Sequence, residues 1–370
     1  MDEFGQIPPQ LILFFVLYGI TGVVPIIAAI YLLLRRGNAF APEITPPLRL
    51  RRWAAAFFVT AALGHVWWYL FYIYSRDIHS VAYAVVALFD CVTLLTTIAG
   101  TLLSMLQDRR RRIWPVFVAM LPFVALGGVC MIHPNYQIML IATDYVLLLY
   151  VLFTAYMMFA VRRYDRWLND NYADLENKKV WLSQVVTLGC LFMFILYTFV
   201  DIDTFLLIFF LHLTELVLFG LLLWRVETLP QLDSIPQSSN LSSCPTPPLP
   251  QISNVDLAQI ERLLAEHCVD TQLYLQHDLT LQQLAQSVGT NRSYLSQYFS
   301  RQGITYNIYI NNLRINHFIS RYQEVSCSQQ PFTVQQLANE SGYRSYSTFS
   351  LAFKQRMGQS VTTWMRESSK

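Results

Sequence analysis

The stretch TLQQLAQSVG at residues 280–289 returns 53 residues later as TVQQLANESG at residues 333–342. Six of the ten positions are identical, including the first threonine, the Leu-Ala pair and the last glycine. A threonine followed three residues later by glutamine, here Gln283 and Gln336, is typical of a capping box at a helix start. Glycine suits the left-handed residue just after a helix. Each copy therefore predicts a short helix that begins at its threonine and ends before its glycine.

A second short helix is predicted after each copy, with Asn291 and Ser345 as N-caps. The apolar residues of these second helices recur at spacing i, i+4, which indicates one buried face: Leu295 and Phe299 in the first, Phe349 and Phe353 in the second. Helix, glycine-containing turn, helix is the pattern of the helix-turn-helix, whose second helix enters the DNA major groove. The sequence predicts two such units, at about 280–300 and 333–357, joined by a helix over 306–322.

The tail resembles the two-helix-turn-helix DNA-binding domain of the AraC/XylS family of transcription regulators. The resemblance covers residues 279–366 and depends on the LxxLA–G–N–L–F pattern at 281–299, on Arg314, and on the stretch LANESGYRSYSTFSLAFKQRMGQS that begins at residue 337. Two departures fall near the connecting helix and the final turn. Phe318 stands where the family usually has alanine, and Ser360-Val361 replaces a common Thr-Pro.

The resemblance implies two recognition helices in successive major grooves of double-stranded DNA. By position, the side chains facing the bases would be Arg292, Ser293, Ser296 and Gln297 from the first helix, and Arg344, Tyr346, Ser347 and Ser350 from the second. Lys354 and Arg356 would contact phosphates. Ten basic against eight acidic residues in the tail are a small excess for a DNA-binding domain. We therefore expect binding to depend on a homodimer or on clustering in a membrane.

Residues 228–253 are rich in proline and serine and contain no lysine or arginine. Neither helix nor strand is favoured by that composition. The sequence predicts a linker here, followed by the DNA-binding domain at 254–370.

The first 227 residues carry the excess hydrophobicity of a chain that is 54% apolar and 14% charged. An ordinary soluble domain is about 25% charged, and a helix needs about 20 mostly apolar residues to cross a bilayer. Seven runs meet that requirement: 11–34, 53–74, 81–106, 113–132, 138–161, 180–200 and 205–224. The predicted fold is all-α, a bundle of seven transmembrane helices followed by a cytoplasmic AraC-type double helix-turn-helix domain.

The charges of the loops predict the orientation. The first, third and fifth loops and the segment after the last span lie on one side of the membrane, and together they carry fifteen lysines and arginines. The opposite side carries one, Arg76. Basic residues accumulate on the cytoplasmic side. We expect a multi-pass protein with its N-terminus outside and its tail inside. Because DNA and membrane must share a compartment, this indicates the cytoplasmic (inner) membrane of a prokaryote.

Ionisable residues inside spans are costly in lipid and are candidates for function. Five lie at overlapping depth: His65, Asp90, Asp144, His212 and Glu215. One hypothesis is an outward-facing polar site that binds a small ligand or an ion, or passes protons. In the alternative, these groups pair with one another between helices, and the membrane region is only an anchor.

The sequence contains no Walker loop, no G-x-S-x-G, no H-E-x-x-H and no Cys/His metal spacing, and its six cysteines are scattered. We expect no enzyme, no cofactor and no zinc site. The predicted function is a membrane-bound, sequence-specific transcription regulator, with signal sensing in the membrane region as a hypothesis. The alternative is a transporter or channel whose tail regulates it by binding protein.

Overall fold

In a computed structural model of the chain, the structure describes residues 9–35, 37–75, 77, 80–133, 135–175, 178–199, 205–232, 254–328 and 331–368. Their regular structure is helical, apart from one antiparallel bridge between Tyr172 and Thr280. This confirms the all-α prediction. Most of the predicted linker lies outside the described residues.

The chain divides into two compact units. One consists of Met1–Tyr164 and Val180–Leu232, and the other of Asp165–Lys179 and Asp233–Lys370. We call residues 165–179 the docked segment, because they lie between the fifth and sixth predicted spans in sequence yet belong to the unit that contains the tail.

The N-terminal region contains the helices α1 Pro9–Leu34, α2 Leu48–Tyr74, α3 Val81–Met105, α4 Trp114–Ile132, α5 Tyr136–Asn171, α6 Leu182–Phe199 and α7 Phe205–Thr228. All except α6 include a described stretch long and apolar enough to cross a membrane. The described apolar stretch of α6, Leu182–Tyr197, is shorter and is not among these six. With a rise of about 1.5 Å per residue, the 18 residues of α6 span about 27 Å, against about 30 Å for a bilayer core. The structure thus supports six spans, and the seventh stays a prediction.

Large apolar side chains cover the outside of these helices. Ile27, Leu121 and Phe159 are 60%, 61% and 70% exposed. In the described part of the tail, by contrast, the exposed large apolar residues are Val269, Ile308, Tyr346 and Leu351. Contiguous exposed apolar surface of this extent marks contact with protein or lipid, so the first unit is consistent with a membrane region.

Helices α1 and α7 lie side by side and run in the same direction. Midway along them, Thr21 Oγ1 lies 3.5 Å from Nδ1 of His212. At their C-terminal ends, Arg35 forms an ion pair with Glu227, and the Tyr31 hydroxyl donates to the same carboxylate at 3.2 Å. Two contacts at matching heights fix the parallel arrangement.

The tail contains the helices α8 Asn254–Leu264, α9 Leu281–Ser287, α10 Arg292–Arg301, α11 Tyr306–Ser328, α12 Val334–Glu340, α13 Tyr346–Met357 and α14 Val361–Ser368. Two apolar cores form, one under α9 and α10 and one under α12 and α13. The connecting helix α11 serves both, since Ile310 is buried in the first core and Ile315 in the second. It continues six residues beyond the predicted end at 322.

Phe318, the larger residue at a family alanine position, is fully buried in the second core. Its ring lies 4.5 Å from that of Phe349 and 6.5 Å from that of Trp364, measured between centroids. The extra volume is therefore filled by aromatic packing between α11, α13 and α14.

Candidate functional site

Helix α10 has one buried and one open face. Asn291 caps it, since its Oδ1 accepts from the Tyr294 amide at 2.8 Å. Leu295 and Phe299 are buried, as predicted, and Ser293 and Ser296 are exposed on the other side. Gln297 and Arg292 are half-buried. The open face thus carries short polar groups that can reach base edges or phosphates.

Helix α13 repeats this arrangement. The hydroxyl of Ser345 accepts from the Thr348 amide at 3.3 Å and caps the helix, as predicted. Phe349 and Phe353 are fully buried. The remaining predicted residues divide by exposure: Tyr346, Ser347, Lys354 and Arg356 are exposed, and Ser350 is half-buried.

The two predicted capping boxes differ. In the first, Thr280 Oγ1 accepts from the Gln283 amide at 3.2 Å and Gln283 Oε1 accepts from the Thr280 amide at 2.8 Å. In the second, the Gln336 amide donates to Thr333 at 3.1 Å, but the side chain of Gln336 turns to Glu340 instead. The full capping box predicted at Thr333 was therefore wrong, because the Gln336 side chain is turned toward Glu340, one turn later, and not back to the Thr333 amide.

Arg314 joins the two helix-turn-helix units. Its buried guanidinium donates to the Tyr274 carbonyl at 2.7 Å and to the Gln276 carbonyl at 2.8 Å, and it stacks over the Tyr343 ring at 5.4 Å. Gly342 closes this junction at φ +89°, where an added Cβ would lie 2.8 Å from a backbone oxygen. The spacing of the recognition helices is thus fixed by a buried cation and by a glycine that no other residue replaces freely.

Residues 284–367 match a family model described as a helix-turn-helix domain. The tail is an AraC-type helix-turn-helix domain. No curated protein and no solved structure matches the chain. The match supports a DNA-binding transcription regulator, and the chain also carries an apolar, helical N-terminal region.

Two basic residues of the AraC-type domain have partners on their own surface. Arg344 pairs with Oδ2 of Asp278 at 2.7 Å, although its side chain is 62% exposed. Arg356 donates to the Asn312 carbonyl and, at 2.6 Å, to Oδ1 of Asn316 on α11. Exposed pairs of this kind contribute little to stability, so both arginines can exchange their partners for phosphate or base.

Arg292 has a partner that the sequence did not predict. Its Nε donates to Oδ1 of Asn171 in the docked segment at 2.8 Å. The amide of Asn307 on α11 holds the next two residues of that segment, Tyr172 and Ala173, through their carbonyls at 3.1 and 2.7 Å. The docked segment therefore forms a hydrogen bond with one of the side chains predicted to contact DNA, that of Arg292.

The docked segment is linked to the second helix-turn-helix unit through a shared carboxylate. Lys178 Nζ lies 3.1 Å from Oδ1 of Asp278, the carboxylate whose other oxygen pairs with Arg344. Ala173 is 1% exposed within the first core. The contact thus combines burial with polar pairing. Sequence reasoning missed Asn171, Lys178 and Asp278, because a contact over about a hundred residues leaves no periodic signal.

The surroundings of Arg292 affect its charge. Burial lowers the pKa of its guanidinium, and the neighbouring Tyr172 and Asp170 oppose that shift. An arginine nevertheless keeps its charge at neutral pH. The docked segment therefore covers a cation that remains able to bind phosphate or guanine once it is released.

In the N-terminal region, three of the five predicted ionisable residues come together. The ligand atoms of His65, His212 and Glu215 lie within 4.8 Å of one another, and we call these residues the His-Glu cluster. Asp90 lies nearby, where its Oδ2 accepts from Trp68 at 3.0 Å and its Oδ1 is buried with no hydrogen-bond partner among the described residues.

Asp144 is exposed on α5 and is not a member of the His-Glu cluster. Helices α2 and α7, which carry the His-Glu cluster, both pack against α1, whereas Tyr145 of α5 donates to a carbonyl of α4 and Tyr150 stacks on Phe194 of α6. Similar depth in the membrane therefore did not imply proximity, because α5 packs against another part of the bundle.

Proposed function

We propose that the chain is a membrane-bound, sequence-specific transcription regulator of a prokaryotic cytoplasmic membrane, with the AraC-type domain in the cytoplasm. One observation carries this proposal. Two capped helices, each with a buried aromatic face and an open polar face, are held together by Arg314 in one folded domain. Two recognition helices held in one domain can enter two successive segments of the major groove.

The open faces suggest how the work is divided. Arg292, Ser293, Ser296 and Gln297 would contact one half of the site, and Arg344, Tyr346, Ser347 and Ser350 the other half. Lys354 and Arg356 would bind phosphates, which sets position without specifying sequence. Because the net charge of the tail is small, a homodimer or membrane clustering would raise the local concentration of domains on adjacent sites.

A random-site selection with the purified full chain in lipid nanodiscs tests the proposal. Gln297→Ala and Arg344→Ala should each weaken binding by about 1–3 kcal/mol and relax preference in one half of the site. Arg366→Ala on α14 removes the same charge from an exposed position and should leave the preference unchanged. If no sequence is enriched, the regulator proposal fails in favour of a transporter or channel with a protein-binding tail.

We further propose that the membrane region passes a signal to the DNA-binding surface through the docked segment. The composition of residues 228–253 favours neither helix nor strand, so it predicts no regular element that would transmit a movement. The docked segment, in contrast, is covalently continuous with α5 and α6 and holds Arg292 through Asn171. A rearrangement of the helices would pull the segment away and free Arg292 for DNA.

Substituting Asn171 tests this coupling. Asn171→Ala removes the hydrogen bond to Arg292 and should raise DNA affinity about 2- to 12-fold, the equivalent of about 0.5–1.5 kcal/mol. Asn169→Ala is the matched control, since the Asn169 amide donates to the Asp165 carbonyl within its own helix. Measurements use the full chain in nanodiscs and a selected site. Unchanged or weaker binding by Asn171→Ala would leave the segment a purely structural part of the domain.

A further inference from the structure

The His-Glu cluster brings nitrogen and oxygen donors together in the N-terminal region. Nε2 of His65 lies 3.7 Å and Nδ1 of His212 lies 3.5 Å from the same carboxylate oxygen of Glu215. The three side chains are 12%, 7% and 20% exposed, respectively. Both distances exceed a normal hydrogen bond. They are close to the roughly 3.4 Å that separates two ligands around a tetrahedral zinc ion with bonds of about 2.0–2.1 Å.

The hydrogen bonds around the cluster direct lone pairs into its centre. Nδ1 of His65 lies 3.0 Å from the Ala61 carbonyl, which can only accept, so Nδ1 carries a proton. In the neutral ring Nε2 then presents a lone pair to the Glu215 carboxylate. Two acceptors that face each other need a proton or a metal cation between them. A histidine whose second nitrogen donates to a carbonyl is also the usual arrangement around a bound metal.

The neighbouring helix α1 adds to this environment. The Thr21 hydroxyl directs its single proton to the Leu17 and Tyr18 carbonyls, so its oxygen offers lone pairs toward Nδ1 of His212, 3.5 Å away. The Tyr18 ring lies 5.2 and 5.5 Å from the rings of His65 and His212, measured between centroids. The Tyr18 ring packs against both imidazoles, and the Thr21 oxygen lies beside the nitrogen of His212 that faces Glu215.

We propose that His65, His212 and Glu215 bind one Zn²⁺ ion. Two imidazoles and one carboxylate with an open fourth position are a known zinc ligand set. Mg²⁺ and Ca²⁺ prefer oxygen ligands throughout, and Cu(I) prefers sulfur. The expectation of no zinc site depended on cysteine spacing, which does not detect ligands from two distant helices.

The site lies closer to one end of the helices than to the other. His65 lies nine residues before the end of α2 and His212 seven residues after the start of α7. At about 1.5 Å per residue, these positions are about 10–14 Å from that end. In the proposed orientation this end faces the outside, so zinc would reach the site from the external medium.

Metal binding by the purified full chain in nanodiscs tests the site. After treatment with EDTA and reloading, the wild type should retain one Zn²⁺ per chain, and Co²⁺ should give the intense visible absorption of a tetrahedral complex. His65→Ala, His212→Ala and Glu215→Gln should each weaken Zn²⁺ binding by about 100-fold or more. His133→Ala, an exposed histidine at the end of α4, should bind as the wild type does.

X-ray absorption spectroscopy identifies the ligands of zinc in the wild type, so the test stays valid where a variant fails to fold. Two imidazole ligands on the zinc ion support the site. Absence of bound zinc, a shell without imidazole, or a Co²⁺ spectrum unchanged in three folded variants would overturn it.

That zinc is the signal of the regulator depends on the proposed function. DNA affinity is therefore measured on the same samples with and without Zn²⁺. A zinc-dependent change that Glu215→Gln abolishes supports this role, and zinc binding with unchanged DNA affinity refutes it while the site stands. Failure to select any DNA sequence would refute the proposed function and not the metal site.

Discussion

Single residues at the junction of the two helix-turn-helix units decide how they are spaced. Arg314 is 1% exposed and satisfies two carbonyls of the loop before α9. Burial lowers the pKa of its guanidinium, and Tyr343 and Tyr306 oppose the shift. Such a cation is costly to bury unless its donors are paired. Truncating it would leave the Tyr274 and Gln276 carbonyls unpaired, so we infer that Arg314 maintains the domain and does not contact DNA.

Gly342→Ala should destabilise the AraC-type domain more than Gly303→Ala does. Both glycines have positive φ, +89° and +67°, which costs an alanine about 1–2 kcal/mol. A Cβ at Gly342 would also meet the Leu275 carbonyl at 2.8 Å, whereas a Cβ at Gly303 would meet nothing within 4 Å. We expect a loss of about 3 kcal/mol or more against about 1 kcal/mol. Hydrogen exchange of the α12 and α13 amides measures both, and equal losses would contradict the crowding.

At the scale of elements, the start of each recognition helix is set by a cap. Ser345→Ala removes the acceptor for the Thr348 amide and should cost about 1 kcal/mol, fraying the turn that carries Tyr346 and Ser347. DNA affinity should fall accordingly. Ser360→Ala removes the equivalent cap of α14, where Ser360 accepts from Thr363 at 3.2 Å. The control should lose similar local stability but keep its affinity. If Ser345→Ala and Ser360→Ala lost the same DNA affinity, the loss would reflect the stability of the domain and not the start of the recognition helix.

Helix starts and buried faces could be predicted because their causes are local. A cap residue and an apolar repeat of i, i+4 lie within one or two turns, and Asn291, Ser345, Phe299 and Phe353 behave as their spacing indicates. The choice between alternative hydrogen-bond partners was harder to predict. The side chain of Gln336 could bond to the Thr333 amide or to Glu340, and it bonds to Glu340.

At the scale of the whole molecule, long-range contacts were beyond the sequence. Nothing around Asn171 distinguishes it from an ordinary polar residue at the end of a helix, yet it pairs with Arg292, 121 residues away. Equal depth likewise predicted Asp144 beside the other ionisable residues, whereas packing gathered His65, His212 and Glu215, with Asp90 nearby and Asp144 apart. Depth follows from position along a helix, but proximity depends on which helices are neighbours.

The parallel arrangement of α1 and α7 bears on the number of crossings. In an up-and-down bundle, odd-numbered spans share one direction. The pairing of Arg35 with Glu227 holds the C-terminal ends of α1 and α7 together, which supports a crossing by α6 despite its short apolar stretch. If α6 did not cross, α7 would run opposite to α1.

Reporter fusions decide the topology. Alkaline phosphatase inserted at 201–204, the predicted sixth loop and outside the described residues, should be active, because seven crossings place this loop outside. The same enzyme inserted at residue 240 should be inactive, and green fluorescent protein there should fluoresce, since fifteen basic residues favour a cytoplasmic tail. Matched expression of each fusion is checked by immunoblot. An inactive enzyme at 201–204 together with an active one at 240 would place the tail outside, through six crossings or through seven in the reverse orientation, and the AraC-type domain would then lie on the wrong side of the membrane to reach DNA.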